Sequence, residues 1–165
     1  MRHPLSILVL VLALGLAYLF VMHTGTRLPP MTAVHFDAGG TANSFMERAR
    51  YLKFESLFAV GLPLALVIIM SLVYSRARNF KVPNRDYWMA PERAAATRSF
   101  LIGHGIWFGT LLAGLMCFIH WVLVIANQQQ PPHLSNGMAI GGLLVFLAVT
   151  LAWAMVLIVA FRRPR

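Results

Sequence analysis

Four long apolar runs, separated by polar segments, divide the chain: Leu5–Met22, Ser56–Tyr74, Phe100–Ala126 and Gly137–Phe161. Runs near 20 residues match the hydrocarbon thickness of a bilayer. Even the shortest, as a helix, would extend about 27 Å. The pattern predicts an all-α membrane protein of four transmembrane helices, with residues 1–165 forming one domain. The 23–55 loop and the 127–136 turn lie on one side of the membrane, and the 75–99 loop lies on the other.

The polar segments carry their own local signals. Leu28-Pro29-Pro30 cannot be helical and predicts an extended exit from the first span. Thr32–Phe36 is rich in β-branched and aromatic residues, and Gly39-Gly40 offers a tight reversal, which together predict a short β-hairpin. Ser44 with Glu47 reads as a capping box that starts a helix near Phe45. That helix would run through Tyr51 and Phe54 directly into the second span, where Gly61 and Pro63 predict a kink or a discontinuity. Pro83-Asn84 marks a turn. Pro91 with Glu92 suits the first turn of a helix, one that could continue unbroken to Ala126 over about 54 Å.

Charge orients the bundle. Of the 14 Lys and Arg residues, Arg27, Arg48, Arg50 and Lys53 lie in the 23–55 loop. The other ten are Arg2, then Arg76, Arg78, Lys81, Arg85, Arg93 and Arg98, then Arg162, Arg163 and Arg165. The positive-inside rule therefore places both termini and the 75–99 loop in the cytoplasm. The net charge of +9 invites a nucleic-acid reading. These cations flank apolar runs and form no stripe interleaved with exposed aromatics, so nucleic acid is not an expected partner. The first run is longer than a signal-peptide core and reads as an uncleaved anchor. Cys117, the one cysteine, falls inside the third span and reads as a small apolar side chain.

Packing faces follow from small residues at helical spacing. Gly105, Gly109 and Ala113 form such a stripe on the third span, and Gly137 and Gly141 form another on the fourth. The expectation is that these faces meet each other or bind another membrane protein. Ala13 and Ala17 supply a similar face on the first span.

Candidate chemistry is sparse. The chain has no nucleotide loop, CxxC, HExxH or GxSxG motif, and no carboxylate sits deep in a span. A non-enzymatic protein without cofactors is expected. His120, beside Trp121, is the ionisable residue inside a span that calls for a role, either a functional one or an interhelical hydrogen bond. His104 lies roughly 24 Å below it on the same helix, so the two cannot share a ligand. His23, His35, His120 and His133 fall on one side with Asp37, a donor set that suits zinc or copper although no short-range spacing supports a site. Phe36 and Phe45, on either side of Gly39-Gly40, could pack a small core or dock a partner.

One stretch resembles a known family. Leu28-Pro29, Val34-His35-Phe36-Asp37, Gly40, Asn43 and Phe45, placed directly after a first span, are similar to the pattern L-P-x-x-(I/V)-P-x-H-F-x-x-x-G-x-P-D-x-(W/F). That pattern belongs to a bacterial membrane domain of unknown function at the N-terminus of SdpI-type immunity proteins. The resemblance covers roughly residues 5–74, and the second half, including Asn84 to Arg93, looks like the small stand-alone members. Ala33 and Ala42 stand where the family often has proline, and Asn43 stands where it has aspartate, keeping the ability to cap a helix. The further C-terminal membrane domain of the immunity proteins has no counterpart here. The resemblance implies a protein of the bacterial inner membrane. The expected function is an accessory or interaction subunit that meets other membrane proteins, or itself, within the bilayer. The alternatives are toxin immunity or signalling and a metal-binding accessory role for the outward histidines.

Overall fold

The structure is a computed structural model that describes residues 3–76 and 83–162. Arg2, Arg78, Lys81, Arg163 and Arg165, which entered the charge argument, lie outside the described residues. Helix α1 (Pro4–Gly25) is followed by strands β1 (Met31–Phe36) and β2 (Ala42–Glu47). Helix α2 (Arg48–Ser56) passes through a π turn, Leu57–Gly61, into α3 (Leu62–Arg76). A short α4 (Arg85–Trp88), a long α5 (Pro91–Asn127) and α6 (Asn136–Ala160) complete the order. Four of these rods are long and apolar enough to cross a membrane: Pro4–Gly25, Arg48–Arg76, Pro91–Asn127 and Asn136–Ala160. The expected class is therefore observed, with the hairpin at one end.

The second rod does not break at Gly61 and Pro63. Proline lacks an N–H, and its ring crowds the carbonyl four residues back. The π turn widens the helix where that clash would fall, so the rod continues as one piece. Pro63 is fully buried in the bundle.

The core is a three-rod assembly centred on α5. Leu10 and Leu14 of α1 meet Val67 of α3 and Ile106 and Ala113 of α5. Nearer the hairpin, Ala17 and Val21 pack with Ala59, Met116 and Cys117. In lipid, apolar side chains gain little by leaving their surroundings, so helices associate through close packing of small residues. Gly109 shows the principle. A Cβ there would fall on the Val67 side chain, with the Pro63 carbonyl 3.4 Å away and Leu10 at 3.6 Å. Gly105 likewise faces Met70 of α3.

This corrects the expected pairing of glycine faces. Gly105 and Gly109 serve α3 and α1, not α6. Gly141 has nothing within 4 Å, and Gly137 meets only the hydroxyl of Ser135 at 4.0 Å. The close approach between α5 and α6 occurs instead at Gly142, where the Phe118 ring occupies the space a side chain would need. Lower down, Trp153 of α6 stacks on His104, with centroids 4.1 Å apart, and donates its Nε1–H to the His104 carbonyl at 3.3 Å. No residue of α6 is buried.

The end opposite the hairpin is tied by side chains that satisfy helix termini. Asn84, in the left-handed region at φ 51°, donates from Nδ2 to the Phe161 carbonyl at 3.0 Å. Trp88 donates from Nε1 to the same carbonyl at 3.2 Å. Arg98 donates to the Ser75 carbonyl at 2.9 Å, and Ser99 meets His3 at 3.0 Å. The last carbonyls of a helix have no partner within it, and Asn84, Trp88 and Arg98 supply one.

Two glycine substitutions separate a used face from an uncovered one. Gly109→Val should cost about 1–3 kcal/mol, because the interface is already filled. Gly141→Val should stay within about 0.5 kcal/mol, as expected for an uncrowded surface. Steric-trap or denaturant unfolding in bicelles measures both; equal losses would reverse the assignment of faces.

Candidate functional site

The hairpin end gathers most of the sequence-predicted residues. β1 and β2 pair antiparallel, with Met31 opposite Glu47, Ala33 opposite Phe45 and Phe36 opposite Ala42. The register slips between Ala33 and His35 and again between His35 and Phe36. Asp37 organises the reversal: its Oδ1 accepts the N–H groups of Gly39 at 2.9 Å and Thr41 at 2.8 Å. Gly40 takes φ +86°, a conformation open to glycine at little cost.

The capping box is therefore not formed. Asn43, Ser44, Phe45 and Glu47 all lie in β2, and α2 begins at Arg48 with no side-chain cap. Asn43 spends its side chain across the hairpin, 2.6 Å from Nδ1 of His35. Arg48 N–H bonds the Pro30 carbonyl at 2.8 Å and prolongs the ladder by one rung. Cross-strand pairing took residues whose local pattern favoured a helix start, because β1 offered partners that an isolated helix end lacks.

The hairpin is docked on the bundle by polar contacts. Asn127, at the end of α5, presents its amide as if it were a strand. Its Oδ1 accepts from Ala33 N–H at 2.8 Å and its Nδ2 donates to the Ala33 carbonyl at 2.9 Å. Ala33 and Thr32 are wholly buried. At the tip, the Gly40 carbonyl accepts from Leu134 N–H at 2.8 Å, and Asn136 Nδ2 reaches the Ala38 carbonyl at 2.8 Å. A Cβ on Gly40 would collide with the Leu134 carbonyl and press on the His133 ring at 3.0 Å, so that contact needs glycine.

Beneath the hairpin, His120 joins three helices. It is fully buried, its Nε2 2.8 Å from Thr24 Oγ1 of α1 and its Nδ1 2.8 Å from the Tyr51 hydroxyl of α2. The Thr24 hydroxyl gives its single proton to the Phe20 carbonyl at 2.6 Å. His120 must then donate from Nε2, and a neutral ring accepts the Tyr51 proton at Nδ1. Tyr51 stacks on the imidazole at 5.8 Å, and Phe20 meets it edge-on at 5.9 Å. Glu55, one helical turn beyond Tyr51 and also buried, interacts with the Tyr51 hydroxyl and lies in electrostatic reach of Cys117. Every polar atom of the imidazole is thus used to hold helices together.

The histidines at the hairpin end do not converge on a metal. Among the described residues no three His, Cys, Asp or Glu side chains come close enough to hold one. His35 is engaged with Asn43, Asp37 with its own turn, and His120 with Thr24 and Tyr51, while His133 packs on Gly40. Phe36 and Phe45 are also separated in role. Phe36 lines an apolar groove of about 300 Å³ with Val34, Phe118, Val122, Leu134 and Leu143, between α5 and α6. Phe45 leaves half its surface exposed.

Sequence reasoning missed Asn127, Tyr51 and Thr24. Asn127 and Thr24 lie just past the ends of apolar runs, and Tyr51 lies on the helix expected to lead into the second span. A polar side chain at such an edge, where the membrane thins the supply of water, was the available signal. Comparison of the chain with family models, curated proteins and solved structures gives no match.

The docking bonds make separable predictions. Asn127→Leu strands both main-chain groups of Ala33 and should cost about 2–4 kcal/mol, with the hairpin losing hydrogen-exchange protection first. Tyr51→Phe leaves Nδ1 of His120 without a donor and should cost about 1–3 kcal/mol while β1 stays protected. Exchange mass spectrometry with unfolding in detergent reads both; hairpin protection that survives Asn127→Leu would refute the docking role.

Proposed function

We propose that this multi-pass membrane protein is a non-enzymatic accessory or interaction subunit of the bacterial inner membrane. In this reading the termini and the 75–99 loop are cytoplasmic, and the hairpin faces the other side. The asymmetry between the Arg76, Arg85, Arg93, Arg98 and Arg162 end and the smaller set Arg27, Arg48, Arg50 and Lys53 supports that orientation.

One observation carries the subunit reading: α6 is a full-length apolar rod with no buried residue, attached along one side to α5. Its Gly137–Gly141 stripe is uncovered by this chain. The interior polar groups support the same view, since Thr24, Tyr51, His120 and Asn127 spend their hydrogen bonds within the bundle. They act as braces, and the uncovered α6 face and the exposed hairpin are the surfaces offered to a partner.

The resemblance to the N-terminal domain of SdpI-type immunity proteins supports a second reading, sensing of a toxic peptide at the hairpin. The exposed His35–Asn43 pair and half-exposed Phe45 are the surface that would do so. Solubilisation from native membranes followed by native mass analysis tests the first reading. A stoichiometric partner is expected, and a lone monomer or homodimer would discard hetero-assembly. For the second, a deletion strain killed by a peptide toxin should be rescued by the wild type but not by His35→Ala.

A further inference from the structure

At the end opposite the hairpin, a pocket of about 390 Å³ opens between α4, the start of α5 and the end of α6. Its lining is Trp88, Arg93, Ala96, Thr97, Phe100, Ala160 and Phe161. Arg93, Ala96, Thr97 and Phe100 follow the i, i+3, i+4, i+7 spacing, so they form one face of α5. That face is graded. The guanidinium sits at the helix start, and Phe100 lies roughly 10 Å further along the axis.

The deep wall is aromatic and fixed. Phe161 meets Phe100 at 6.0 Å and Trp88 at 5.5 Å, and the Trp88 indole is held by its bond to the Phe161 carbonyl. Thr97 points its hydroxyl at the Trp88 carbonyl at 2.8 Å, leaving its methyl side for the pocket. Arg93 is held at the rim, its guanidinium 4.1 Å over the Tyr87 ring and bonded to the Tyr87 carbonyl at 3.3 Å.

We propose that this pocket binds an anionic phospholipid, its phosphate on Arg93 and an acyl chain along Phe100, Ala160 and Phe161. Charge complementarity selects the headgroup. Arg76, Arg85, Arg93, Arg98 and Arg162 stand at this end, against Asp86 and Glu92 among the described acidic residues. Basic pockets between transmembrane helices at one interface are where acidic lipid headgroups are held. The apolar depth selects a tail as well, since a soluble anion would have no use for it. Trp88 and Tyr87 sit where aromatic belts meet headgroups.

The test uses the purified full chain, depleted of lipid in detergent, and native mass analysis of added lipid. Dioleoyl phosphatidylglycerol should bind about fivefold tighter than dioleoyl phosphatidylcholine, a contrast in headgroup charge at constant tails. Arg93→Gln should abolish that preference, whereas Arg76→Gln, outside the lining, should keep it. Ala160→Trp, which fills the pocket without touching charge, should weaken both lipids. No preference in the wild type would overturn the proposal. Equal loss in the two arginine variants would overturn it too, by making the attraction diffuse. So would inorganic phosphate displacing the lipid at equal concentration.

Discussion

A polar group that loses its partner inside a bilayer has no water to turn to, and the hairpin end is arranged around that constraint. An open two-stranded sheet exposes a row of main-chain groups along its outer edge. Ala33 is the residue where that edge is turned inward, buried between the hairpin and α5. The Asn127 amide answers it with one acceptor and one donor at strand-like distances. Without that side chain both main-chain groups of Ala33 would be buried without a partner, next to the equally buried Thr32. The arrangement beneath depends on this lid, since Tyr51 and Val124 pack directly under Leu28.

The same constraint explains the chemistry of His120. An imidazole in a span is usually a candidate for proton or metal work, but here its geometry is that of a three-way strut. Thr24 turns its own proton back to α1, which obliges it to accept from Nε2 and leaves Nδ1 for Tyr51. α1 and α2 each give the ring one partner, so neither imidazole nitrogen is left over for a ligand. Gly25 lets α2 come close enough for this, because Leu52 occupies the space where its Cβ would lie.

How legible this was in the sequence depends on the range of the interaction. The four spans, the Pro91 helix start and the Gly39-Gly40 reversal follow from local pattern, because length, hydropathy and turn chemistry act within a few residues. The stretch from Ala42 to Glu47 misled, since its Ser44–Glu47 spacing is a genuine capping pattern. Its fate was set by pairing with Met31–Phe36 across a turn. The glycine stripes were visible as stripes, but spacing alone does not say which neighbour a face meets. Gly109 turned to Val67 and Pro63, and the contact with α6 fell to Gly142, which lies outside the four-residue repeat. Asn127 and Thr24 were hidden by their ordinary composition at the ends of apolar runs.

The contrast between α5 and α6 has a physical consequence for the whole molecule. In water, a helix with no buried residue would not stay associated, because burial supplies most of the driving force. In lipid that force is nearly absent between helices, so a few specific contacts decide the position. For α6 these are Phe118 against Gly142, Trp153 on His104, and the Phe161 carbonyl held by Asn84 and Trp88. Two of the three depend on the end opposite the hairpin, while Asn136 and Leu134 fasten the other end to the hairpin tip. The rod is thus pinned at its ends and loosely packed between them. The α1–α3–α5 cluster of Leu10, Leu14, Val67, Ile106 and Ala113, by contrast, contains no hairpin residue and draws its packing from all three rods.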